Sequence, residues 1–234
     1  MEAEQTAAAR PRPTPADMAA GTAGGGGYVD DSFAHAVRQY GDYSIERFRV
    51  GRRPVGGAAV GANPAVLALV RAITGGRVAA GQGGAVNHVY SDILLRHPDT
   101  GERHLIRAGK GPRLHVEAAD GGVAGVDGRK GYTGLDISDR VRQQQSFRDF
   151  AADMLTAHAA SHGGDYSAIG RYGIRDSNCQ SATAAAVAAA TGTGVCGIDR
   201  DIRDFAVEPL AAQVPRRVAA LIDGLAARGA AKGY

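Results

Sequence analysis

Cysteine and histidine are the side chains best suited to attacking a carbonyl group at neutral pH, one as nucleophile and the other as its base. The chain has two cysteines and seven histidines. Cys179 stands in the segment RDSNCQSATAAAVAAATG, residues 175–192. Ser177 followed three residues later by Gln180 is a capping-box pattern, so a helix is expected from Ser177 with Cys179 at its second helical position. Unpaired amide N–H groups and the positive end of the helix dipole meet there. Both favour thiolate over thiol, which predicts a reactive cysteine near neutral pH. The amides around Ser177, Asn178 and Gln180 are also placed to hold the oxyanion that forms when a thiolate attacks a carbonyl. Cys196 lies in the Gly-rich stretch TGTGVCGID without a capping pattern and reads as structural.

The helix behind Cys179 is nearly all alanine and can pack close to a sheet. The strongest strand signal is AVNHVYSDILLR, residues 85–96, rich in β-branched and aromatic residues. HPDTGE (97–102) is turn chemistry, and RHLIRA (103–108) returns as the hairpin partner. RLHVEAA (113–119) is a third strand, and YSIERFRV (43–50) carries a weaker strand pattern. Helices are expected over 29–41 and over 63–74, where Asn63 caps and Pro64 takes the first helical position. Others are expected from Ser138 or Asp139 through about Ser161, from Ser177 to Gly192, and over roughly 212–228.

This layout selects His88 as the base, because it sits near the start of the best strand, which holds an imidazole rigidly. His88, Tyr90 and Asp92 share one face of that strand, while Asn87, Val89 and Ser91 take the other. If His97 pairs with Glu102 across the turn, Asp92 falls opposite Arg107 and makes a structural ion pair rather than an orienting contact for His88. His104 and His115 are the candidates for a third, orienting residue. His158 and His162, near a helix end, read as exposed or capping residues.

The order of these features carries a resemblance. NHVYSDILLRHPDTGERHLIRAGKGP (87–112) followed by YGIRDSNCQS (172–181) resembles the circularly permuted papain-like cysteine hydrolases, the group that includes the lecithin–retinol acyltransferase-like proteins. In that group the histidine strand precedes the cysteine helix. The likeness spans roughly residues 43–192. It implies an α+β fold, papain-like and circularly permuted, with a small antiparallel sheet packed against helices. It also implies Cys179 as nucleophile, His88 as base and an acyl-enzyme formed from an amide, isopeptide, ester or thioester. Peptides, protein conjugates and peptidoglycan are the implied substrates, with no cofactor and no metal. Lipid acyl transfer and a non-catalytic scaffold serving as a binding or structural module are the alternatives. Several proteins of this kind are bacterial effectors or toxins, which would bring a cognate inhibitor or a secretion partner.

Composition sets outer limits. Hydrophobic residues make up 44% of 234, enough for a core, and aromatics only 6%, so small side chains must fill it. The net charge is +3, with basic and acidic residues interleaved, which gives no nucleic-acid-binding arm. No stretch reaches the ~20 apolar residues of a membrane helix, and MEAEQTAAARPRPTP lacks the apolar core of a signal peptide. A cytoplasmic protein, or one exported by a specialised route, is expected. Residues 1–27, rich in Ala, Pro and Gly, read as a disordered tail ahead of one domain over 28–234.

Overall fold

The computed structural model of the protein describes residues 14–19, 28–54, 87–111, 113–118, 133–171, 173 and 177–206. The helices expected over 63–74 and 212–228 lie outside the described residues.

Helix α1 spans Pro15–Ala19 and α2 spans Asp31–Tyr40. Strands β1 (Ser44–Pro54), β2 (Asn87–Arg96), β3 (Arg103–Lys110), β4 (Leu114–Ala118) and β5 (Thr133–Asp136) follow. Helices α3 (Phe147–Ala160), α4 (Cys179–Thr191) and α5 (Arg200–Ala206) complete the described elements, with short 3-10 turns between them. The strands form one antiparallel sheet in the order β4-β3-β2-β1-β5, and α3 and α4 share its core. The fold is therefore α+β, an antiparallel sheet packed against helices.

The hairpin β2–β3 forms as its turn chemistry predicts. The His97 N–H donates to the Glu102 carbonyl at 2.8 Å, and Gly101 adopts φ 71°, a conformation that suits a residue without Cβ. Alternation then sorts the side chains. Ile93 and Leu95 of β2, with Ile106 and Ala108 of β3, enter the core, so Tyr90, Asp92 and Arg107 stand on the reverse face. In β1 a register shift between Ile45 and Arg47 brings Ile45 into the core together with Phe48 and Val50. That shift is why its sequence pattern is weak.

Three expectations are corrected. The segment 1–27 contains a helix, Pro15–Ala19, whose Met18 and Ala19 are buried in the common core. An apolar side chain with a place to dock overrides the loose composition around it. The helix expected from Ser138 starts instead at Phe147, after a 3-10 turn at Ser138–Arg140. Gln144 turns the chain at φ 60°, and the Ser146 side chain then accepts the Asp149 N–H, ending one structure and starting another. Phe147, Phe150, Met154 and Leu155 still form the buried stripe, and Gly163 and Gly164, both at positive φ, follow the helix end. Helix α4 begins one residue later than its capping pattern suggests, with Asn178 rather than Ser177 as N-cap.

Helix α4 is buried on all sides from Ala182 to Ala190. Only a helix of small side chains can be sandwiched this closely, and it packs against β2 and β3. Gly192, at φ 72°, closes it.

Candidate functional site

Asn178 fixes the start of α4. Its side-chain oxygen accepts the amides of Gln180 at 2.8 Å and Ser181 at 3.2 Å, and the Ser181 hydroxyl accepts the Asn178 N–H at 2.9 Å. The reciprocal capping box is thus Asn178–Ser181, not Ser177–Gln180. Cys179 becomes the first helical residue, and its own amide is left out of the cap. Ser177 has another task. Its buried hydroxyl reaches the carbonyls of Ala168 at 2.5 Å and Arg171 at 2.9 Å, so it ties the helix start to the preceding turn. The Asn178 carboxamide adds a donation to the Gly173 carbonyl.

The Cys179 sulfur accepts the backbone N–H of Val89, and the amides of Gln180 and Cys179 also turn toward it. Pairing of β2 with β3 runs as far as Ser91↔Ala108, and the Val89 amide, beyond that pair, meets the sulfur. Helix start and strand, far apart in sequence, come together at the residue next to His88. The expectation of a depressed thiol pKa is corrected, however. Burial pushes the Cys179 thiol above its ordinary value, and the three amides only partly offset it. The helix-start effect works best on a partly solvated sulfur, and this one is largely covered.

His88 is half-buried, and its ring stands on the Tyr90 side of the strand, 6.2 Å from that ring between centroids. His115 reaches the same place from β4. Gly109, paired with His115, leaves the space that both rings use. A Cβ at Gly109 would stand 3.2 Å from His115 Nε2 and 3.8 Å from His88 Nε2. Behind His115, its Nε2 lies 3.6 Å from a Glu117 carboxylate oxygen. The two histidines and a carboxylate are therefore grouped across three strands, with Gly109 as the gap between them.

His104 is not part of this group. It pairs with Leu95, seven residues along β2 from His88, or about 23 Å at the usual rise. Its ring hydrogen-bonds Glu102 at 2.9 Å and packs on Tyr40 and Tyr43. Asp92 and Arg107 form the anticipated ion pair through two contacts, at 2.7 and 3.0 Å, with the guanidinium over the Tyr90 ring.

His158 corrects another reading. It is fully buried against the first turn of α4, with Nε2 3.4 Å from the Ser181 hydroxyl. His162 does cap, its Nδ1 lying 2.7 Å from the His158 carbonyl while its ring stacks on that of His158. Lys110 escaped sequence reasoning altogether. It is 1% exposed, and Nζ donates to the Ile169 carbonyl at 2.5 Å. A signal existed: Ile106, Ala108 and Lys110 alternate on one face of β3, and that face is the core. Cys196 is exposed.

No helix among the described residues is long and apolar enough to cross a membrane. No family model matches the chain, and no curated protein or solved structure matches it either.

Proposed function

We propose that the protein is a cysteine-dependent acyl hydrolase with a circularly permuted papain-like arrangement, in which Cys179 is the nucleophile, His88 its base and His115 the residue that orients His88. The observation that carries this reading is the Val89 N–H donated to the Cys179 sulfur, which brings the cysteine helix to the residue adjoining the strand histidine. The grouping of His88 and His115 over Gly109 supports the roles of the two imidazoles. Strand alternation turns the His88 ring toward the reverse face, so this reading requires the ring to reach the sulfur around the open end of the β2–β3 ladder.

The thiol rests protonated, so the reaction begins when His88 takes the Cys179 proton as sulfur attacks the carbonyl carbon. The Cys179 amide stabilises the oxyanion. Collapse breaks the bond to the leaving nitrogen or oxygen, which receives the proton from His88. Water, deprotonated by the same imidazole, then releases the acyl group and restores the thiol. An amide or isopeptide is the favoured substrate, a peptidoglycan amide the next, and transfer of a lipid acyl group the third. None of these steps calls for a cofactor.

The test is a panel of peptide, isopeptide and peptidoglycan-stem substrates, with mass spectrometry to detect an acyl adduct on Cys179. Cys179→Ala should abolish turnover without loss of folding. Activity surviving in that variant would end the cysteine mechanism. A second reading, a binding module that keeps the scaffold without catalysis, draws on the burial of the thiol and its raised pKa. It predicts that neither Cys179→Ala nor His88→Ala changes any function of the protein.

A further inference from the structure

We infer that His88, His115 and Glu117 form a binding site for a divalent transition-metal ion of the zinc class, and that the bound ion takes the lone pair His88 would use as a base. The site stands on its own geometry. Its effect on turnover rests on the reading of Cys179 as nucleophile and His88 as base.

Three strands build the site. His115 and Glu117 lie two residues apart on β4, so alternation sends both to one face while Leu114 and Val116 pack against the core. Gly109 of β3, paired with His115, has no side chain, and two imidazole nitrogens share the space above it. A Cβ there would stand 3.2 Å from His115 Nε2 and 3.8 Å from His88 Nε2. A Glu117 carboxylate oxygen lies 3.6 Å from the same His115 nitrogen. Ligand atoms on a tetrahedral zinc ion stand about 3.3 Å from one another. His115 and Glu117 are therefore close to the spacing of two ligands on one ion, and His88 Nε2 faces the same gap.

Two imidazoles and a carboxylate are a donor set that suits zinc and its first-row neighbours. Among the described residues no three such donors already converge on one point, so the ion must draw these three together. Side-chain rotation does this at modest cost, because the Glu117 side chain is 64% exposed, that of His115 25%, and His88 is half-buried. Arg107, opposite Glu117 on β3, gives its guanidinium to Asp92 at 2.7 and 3.0 Å. A metal ligand must offer an unprotonated lone pair, so an imidazole that holds zinc cannot accept the Cys179 proton.

The experiment measures zinc binding by competition with a chromophoric chelator at pH 7.5, in the full chain carrying Cys179→Ala and Cys196→Ser to remove thiolate ligands. One equivalent should bind. His88→Ala and His115→Ala should each weaken binding at least about tenfold, and Glu117→Gln about tenfold, the lower end of what disturbing a group around a metal costs. His104→Ala, which removes an imidazole bonded to Glu102 elsewhere, should leave it unchanged. Unchanged affinity in the His88 or the His115 variant overturns the site. Histidine ring NMR signals of the thiol-free chain decide even if those variants do not fold: zinc should shift His88 and His115, and shifts confined to other histidines overturn the site. In the chain with both cysteines zinc should inhibit turnover, and Glu117→Gln should raise the inhibiting concentration about tenfold. Equal inhibition with and without Glu117 means capture at Cys179 and overturns the effect on the base. Zinc bound at the two histidines of a chain without turnover condemns the hydrolase reading alone, and turnover in a chain that binds no zinc there condemns this inference alone.

Discussion

At the scale of single residues, the unusual property of Cys179 is that its environment pulls both ways. Three amides favour the thiolate, and burial opposes them and wins. The protein should therefore label in an order opposite to that expected from a helix-start cysteine. At pH 7.5 iodoacetamide should modify exposed Cys196 first, and Cys179 should react appreciably only as the pH rises beyond the ordinary thiol range. Peptide mapping of a labelling time course checks this, and rapid labelling of Cys179 at pH 7 would contradict it. The same residue scale governs Gly109. Gly109→Ala puts a methyl 3.2 Å from the His115 ring, tighter than packed side chains normally allow, and His115 must yield. The expected result is a folded protein with turnover reduced about tenfold or more, since a misplaced orienting group costs on that order.

At the scale of elements, the sheet depends on close approaches that only glycine permits. A Cβ on Gly51 of β1 would fall 2.1 Å from the ring of Tyr90, which is itself buried beneath the Arg107 guanidinium. A rigid ring held on its other side has nowhere to go. Gly51→Ala should destabilise the fold by about 1–3 kcal/mol, the usual cost of overpacking, measured by urea unfolding. A variant as stable as the parent would mean that Tyr90 can leave its place. Much of this element-level organisation was legible beforehand. The β2–β3 hairpin, the Asp92–Arg107 pair and the end of α4 at Gly192 all follow from local chemistry. The start of α4 did not, because Ser177 and Asn178 are both good caps and neighbouring in sequence. Tertiary contacts from the Ala168 and Arg171 carbonyls claim the serine and leave the cap to asparagine.

At the scale of the whole molecule, ionisation couples the sheet edge to stability. Asp136, at the end of β5, is opposed by burial but held down to about 2 by the Ser138 hydroxyl and amide and the Arg47 guanidinium. Its folded pKa lies below its unfolded one. The contribution to stability is therefore fully present above pH 4 and is lost as pH falls toward 2. Asp136→Asn should lower stability at pH 6 and match the parent near pH 2. Chemical unfolding curves across that range would show the two converge, and a gap that stayed constant with pH would exclude the linkage. Arg47 and Asp136 are both substantially exposed, so the effect should be modest and should shrink in salt.

The sequence by itself determined the α+β class, the hairpin, the alanine helix and the two residue types capable of covalent chemistry, because each depends on period, turn chemistry or capping within a few neighbouring residues. Only the tertiary structure decided that His115 and not His104 lies near His88, since that depends on which strands lie side by side and on a gap at Gly109. It also decided the direction in which the Cys179 thiol shifts, upward, because burial is a property of everything packed around the sulfur rather than of the helix that bears it. Lys110 and His158 belong to the same class. Alternation sets Lys110 on the face of Ile106 and Ala108, but only the packed fold closes that face over a charged side chain.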